Sequence, residues 1–223
     1  MSQDNPEPVR ATLSFVVDTG EKPVNYPSET GGREERDVGE EDRREVLIRN
    51  ARLESPACAV DPYGFELIEQ TDPKIDFYDD EIVETFYKPS VEEMLRQHLG
   101  ARRVFVFDYT RRTDDVDVRD ARKIRGPAAL VHNDYTSKSG IERLEHFLPD
   151  EAARTDLERI QIINVWRSIN GPVESSPLAM CDARSVETEN LIATERRARD
   201  RIGEICRFTY NPLYEWYYFP VLS

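Results

Sequence analysis

Apolar positions fall into short clusters along the chain, separated by turn residues. Thr12–Val17 (TLSFVV) predicts a strand, and VLIRNARL (46–53) a second ordered segment. In DPYGFELIEQ (61–70), Asp-Pro and Gly mark a turn before the apolar FELI. A helix is predicted from Ser90, where Ser90 and Glu93 form an S-x-x-E capping box. Val91, Met94, Leu95 and Leu99 give it an apolar stripe, and Gly100 stops it. VFVF (104–107) reads as a buried strand, and the charged run after it as hairpin-like. AALVHNDYT (128–136) follows as an apolar extended run. SGIERLEHFLPDEAARTDLERI (139–160) predicts helix on both sides of Pro149, with Ile141, Leu144 and Leu148 on one face. QIINVWRSI (161–169) predicts a strand, ETENLIATERRARD (187–200) a helical or looping segment, and WYYF (216–219) strand-core packing.

Many short strands divided by turns around a helix pair indicate an α+β protein with a sheet-rich core. Residues 1–10 are expected to be disordered. Residues 11–223 then form a single domain, with a charged loop over 18–45 that is rich in Gly, Pro and mixed charge.

Composition narrows the partners. A net charge of −14 repels phosphate backbones and anionic lipid surfaces, so nucleic acid is not expected. No apolar run reaches the ~20 residues of a membrane helix, and MSQDNPEPVR lacks the basic start and apolar stretch of a signal peptide. A cytoplasmic location is the expectation. Cys58, Cys181 and Cys206 are odd in number and widely spaced, which argues for free buried thiols.

The candidate chemistry centres on His132 and Asp134. On an extended segment, residues two apart share a face, so an imidazole and a carboxylate can converge on one point while Asn133 turns away. Such a pair is two thirds of the 2-His-1-carboxylate arrangement of non-haem Fe(II) oxygenases. A structural histidine paired with an aspartate satisfies the same tripeptide. His98, in the last helical turn, and His146, off the apolar face of its helix, read as structural or solvent-exposed.

Arg125, Arg167 and Arg207 are candidates for holding a carboxylate, because a guanidinium fork matches its geometry. Arg167 and its neighbour Trp166 are candidate cosubstrate or substrate contacts, with a structural ion pair as the competing role for Arg167; Tyr135 and Thr136 read first as packed strand residues, with lining of the pocket as the alternative. Asp108 reads as a turn or pairing carboxylate, and Asp79 and Asp80 lack a partner that would make them a catalytic dyad.

GFELI, SVEEMLRQHLGARRVFVFDYTRR, GPAALVHNDYT, NVWRSINGPVESSPLAMCDARSV and YNPLYEWYYFP occur in an order that resembles the fungal hydroxylase/desaturase family. That family includes gibberellin GA4 desaturase-like and CmcJ-like proteins and oxidoreductases of the aspergillic-acid and cercosporin pathways. The resemblance runs from about Leu13 to Pro220. It implies a double-stranded β-helix (jelly-roll) core with flanking helices, using Fe(II), 2-oxoglutarate and dioxygen to hydroxylate or desaturate a small-molecule secondary metabolite. His132 and Asp134 match its first two iron ligands.

Family members continue past the YYFP stretch into a third ligand, a histidine, and an arginine for 2-oxoglutarate. No histidine follows His146 here. The chain is therefore expected to be C-terminally truncated and to lack the last strands, leaving a sheet edge exposed beside WYYFPVL. The alternative expectation is a catalytically impaired family member acting as an interaction protein or remnant.

Overall fold

The computed structural model describes residues 7–27, 36–70, 74–128, 130–150, 154–199 and 202–222. Two sheets carry the fold. The first contains β1 (Val9–Val16), β4 (Glu41–Asn50), β9 (Trp216–Tyr218) and β6 (Met180–Cys181), in the order β1-β4-β9-β6. The second contains β3 (Arg36–Val38), β2 (Val24–Tyr26), β7 (Leu191–Arg197), β8 (Ile202–Phe208) and β5 (His132–Asn133), in the order β3-β2-β7-β8-β5. Pairing is antiparallel except for β2 with β7 and β4 with β9.

The two-residue period of the strands decides what each face meets. In β4, Val46, Ile48 and Asn50 are buried while Leu47 and Arg49 are exposed. In β9, Trp216 and Tyr218 join Phe15, Val46, Ile48, Phe208 and Tyr214 in one core. Tyr217 points to the opposite side of the sheet, into a second cluster with Ala51, Cys58, Tyr63 and Phe65. The expected exposed edge beside WYYFPVL is therefore corrected: β9 lies inside its sheet, flanked by β4 and β6, and its three aromatic residues are buried.

Five helices flank the sheets among the described residues: α1 (Val60–Tyr63), α2 (Asp80–Ile82), α3 (Lys88–Leu99), α4 (Val116–Arg122) and α5 (Ser137–Phe147). α2 runs through a π turn (Val83–Tyr87) into α3, so Ser90 sits inside a continuous helix rather than capping it. Its hydroxyl instead donates to the Tyr87 carbonyl at 2.7 Å, and Glu93 binds Arg96. The actual cap lies upstream, where Asp79 accepts from the Glu81 and Ile82 amides. Val91 and Leu95 are buried and Gly100 ends the helix at φ 63°, as the stripe and stop predict.

Several other expectations need correction. Val9 and Arg10, assigned to a disordered start, pair with Ile48 and Leu47; residues 1–6 lie outside the described residues. The charged loop over 18–45 contains β2, β3 and the first half of β4, because Val24 and Val38 find partners that composition does not reveal. Its residues 28–35 also lie outside the described residues. Leu191–Arg197 is a strand, since Leu191 to Arg197 pair in full with Phe208 to Ile202. VFVF and QIINVWRSI belong to no helix or strand among the described residues, and Phe105, Ile162 and Val165 remain exposed. The hairpin-like run after VFVF holds α4, closed by the bridge Arg112–Arg125. Ile141 is exposed on α5, and residues 151–153 of the helix expected beyond Pro149 lie outside the described residues. No helix among the described residues is long and apolar enough to cross a membrane.

Candidate metal centre

The segment carrying His132 is held from both sides. The Val131 amide donates to the Ser14 carbonyl of β1 at 2.9 Å, and His132 and Asn133 pair with Arg207 and Cys206 of β8. Arg207, 2% exposed, donates from Nε to the Val131 carbonyl at 3.1 Å. The motif is thus fixed where the two sheets come together. Thr136 then caps α5, exchanging hydrogen bonds with Ser139, and the helix carries the chain away from the site.

Nδ1 of His132 lies 2.7 Å from the Leu130 carbonyl oxygen. A carbonyl can only accept, so Nδ1 carries a proton, which leaves Nε2 as the nitrogen that can offer a lone pair. That nitrogen faces Oδ1 of Asp134 at 3.7 Å. The other carboxylate oxygen, Oδ2, accepts from Nδ2 of Asn164 at 2.7 Å. One nitrogen and one carboxylate oxygen therefore lie 3.7 Å apart, each in a group whose other polar atom already has a partner. Metal bonds of about 2.1 Å from each atom span a 3.7 Å gap, so one ion can touch both. The pair fits a divalent cation that accepts nitrogen and oxygen donors. No group of three or more His, Cys, Asp or Glu able to hold a metal occurs among the described residues.

The remaining histidines are committed elsewhere. His98 Nε2 is bonded to Glu66, whose other carboxylate oxygen accepts from the Val60 amide at 3.1 Å. His146 sets its ring edge against Phe147 on α5. Both expectations of structural or surface roles agree with these contacts.

The site opens into a cleft of about 3180 Å³, several times the ~300–1,000 Å³ of a shaped small-molecule pocket. The segments around 104–107 and 161–169, which join no sheet among the described residues, line it. Tyr135 belongs to this wall: its ring meets Phe107 edge-on, and its hydroxyl accepts from Arg143 Nε at 3.2 Å. Trp166, 38% exposed, lies on the wall two residues beyond Asn164. Arg167 places its guanidinium over Phe77 at 4.8 Å and Tyr87 at 5.5 Å and donates to the Ser168 carbonyl, and burial lowers its pKa. Burial likewise pushes the Tyr87 phenol up to about 12. Asn164 is the site residue that sequence reasoning missed. Its one signal was an amide inside the otherwise apolar run IINVW (162–166), where it breaks the pattern.

Two sheets with flanking helices and a His-x-Asp donor pair at their junction define a jelly-roll protein with a candidate metal site. The chain belongs to the family described as oxidoreductase/YMDC permease-like domain, matched over residues 13–223. Among solved structures, an iron and alpha-ketoglutarate-dependent endoperoxidase, NvfI, superposes with a TM-score of 0.78 at 20% identity. That match covers 97% of this chain and 81% of the other. The hydroxylase/desaturase CTB9 of Cercospora beticola is 32% identical over 163 residues, 68% of this chain and 50% of that protein. The alpha-ketoglutarate-dependent dioxygenase phiK of a fungal species is 30% identical over 165 residues, 70% of this chain and 59% of that protein. The chain thus spans about half the length of the curated relatives it matches.

Proposed function

We propose that this chain is part of a non-haem Fe(II)/2-oxoglutarate-dependent oxidoreductase, a hydroxylase or desaturase acting with dioxygen on a small-molecule secondary metabolite. One observation carries the reading: Nε2 of His132 and Oδ1 of Asp134 face each other at 3.7 Å, with Nδ1 already engaged by a backbone carbonyl. The names of the relatives support the choice of iron and of the oxo acid. They are all described as enzymes, so the expectation of a non-catalytic remnant gains no support from them. Free thiols at Cys58, Cys181 and Cys206 suit a reducing, cytoplasmic setting.

Ferrous ion, with 2-oxoglutarate bound, would supply dioxygen activation for removing hydrogen from an unactivated carbon. The residues of this chain contribute placement. His132 offers a neutral nitrogen whose tautomer the Leu130 carbonyl sets. Asp134 supplies negative charge that offsets part of the cation's. Tyr135 and Trp166, on the cleft wall, are placed to orient an apolar substrate, and Arg167, packed on Phe77 and Tyr87, braces the segment that carries Trp166.

Anaerobic titration with Fe(II) followed by 2-oxoglutarate is the test. A weak visible absorption band should develop, and His132→Ala should abolish it. Protein that neither binds iron nor decarboxylates 2-oxoglutarate would contradict the reading.

A further inference from the structure

Each donor of the pair has a tether on its far side. For His132 the tether is a backbone carbonyl, which no substitution removes. For Asp134 it is the side-chain amide of Asn164, thirty residues further along the chain. The two tethers answer different needs. The Asp134 side chain is 47% exposed, so the fold does little to restrict its rotation. A carboxylate free to turn must be ordered each time it binds a cation, and that ordering opposes binding. The Asn164 amide donates to Oδ2 at 2.7 Å, stops the rotation and leaves Oδ1 turned toward Nε2 of His132.

We propose that Asn164 is a positioning residue, which preorganises Asp134 as a single-oxygen metal ligand. The inference rests on the metal reading of His132 and Asp134. It adds to that reading a third side chain that never touches the cation. The hydrogen bond also ties Asn164 to the motif, and with it the segment around 161–169, which belongs to no strand among the described residues. Motif and cleft wall are thereby linked at one point.

The test measures affinity and fold separately, with Co(II) as a spectroscopic probe under anaerobic conditions. Wild type, Asn164→Ala, Asn164→Gln and His132→Ala are titrated, and each metal-free protein is melted by circular dichroism. Outer partners of metal ligands typically carry a roughly 10–100-fold effect on affinity. Asn164→Ala is expected to weaken Co(II) binding by about 10-fold or more, with an unchanged melting temperature because the side chain is exposed. Asn164→Gln keeps the amide donor and should recover part of the loss. Wild-type protein that binds no Co(II) would end the metal reading and this inference with it. Wild type that binds, lost in His132→Ala but undiminished in Asn164→Ala, would overturn the positioning role alone. An affinity loss that tracks a lowered melting temperature, with no rescue by Gln, would also overturn it.

Discussion

The hydroxyl of Thr136 donates to the carboxylate of Glu204 at 2.6 Å, tying the cap of α5 to strand β8. Glu204 also accepts from Lys22 at 2.6 Å, so one acid joins three separate parts of the chain two residues past Asp134. Glu204→Gln should cost about 1 kcal/mol of stability at neutral pH, since hydrogen bonds to a charged acceptor exceed neutral ones. The hydrogen bond from Lys22, then that from Thr136, holds the carboxyl below its ordinary value of 4.5. An acid whose pKa is depressed by folding stabilises the native state above its unfolded value, and that contribution is lost as pH falls through the folded value. The gap between wild type and variant in urea titrations should therefore be full near pH 7 and shrink well below 4.5. A gap that persists undiminished at about pH 3 would show that the charge is not its source.

Phe15 is fully buried, and its ring contacts Tyr210, Tyr214 and Trp216 at centroid distances of 5.4, 6.2 and 6.1 Å. It lies in the core that both sheets line, so Phe15→Ala empties a site that no neighbour can refill without moving. The expected loss is about 3–5 kcal/mol, with Phe15→Leu losing less than half of that. Urea midpoints compared at a common slope would measure both. A loss under about 1 kcal/mol from the alanine variant would mean this core is not close-packed.

These two sites show where the sequence is legible. VLIRN announces its strand because alternate residues meet the core, TLSFVV because its apolar, β-branched run holds three consecutive buried residues, and Gly100 marks its helix end because a positive φ suits glycine. The reading of His132 and Asp134 rests on the same two-residue period, and the structure sets Nε2 of one 3.7 Å from Oδ1 of the other, with Asp134 at a bend just past β5. Long-range partners were not. Nothing local in Asn164 points to Asp134, and nothing in the charged run before β4 shows that Val24–Tyr26 will lie beside β7. Leu191–Arg197 looked helical or irregular because its charge pattern, ERR, hides the pairing with β8 that decides its state.

The three thiols should behave as packed groups. Burial raises the pKa of Cys58 and Cys206 and pushes Cys181 up to about 11, so little thiolate is present at neutral pH. Native protein treated with a disulfide reagent near pH 7.5 should react at least about tenfold more slowly than protein in denaturant, which should then release three thiols. Rapid labelling of the native protein at Cys206 would mean that β8 opens, and the floor of the His132 segment with it.

VFVF and QIINVWRSI have the composition of strands yet lie in no ladder among the described residues, because alternation supplies propensity while a strand also requires a partner alongside. No backbone-to-backbone hydrogen bond joins residues 158–166 to the other described residues, and Ile160, Ile162, Val165 and Trp166 are each at least 37% exposed. β4 and β8, by contrast, pair on both sides, β8 with β7 and β5. Amide exchange followed by mass spectrometry should separate the two classes. Peptides covering 160–167 should exchange at least about a hundredfold faster than those covering Val46–Ile48 or Ile205–Phe208, because protection follows the opening free energy of paired backbone. Equal protection would require a ladder along Ile162–Val165. If Fe(II) and 2-oxoglutarate slow exchange around Asn164 while leaving β4 unchanged, the cleft wall is ordered by the site it borders.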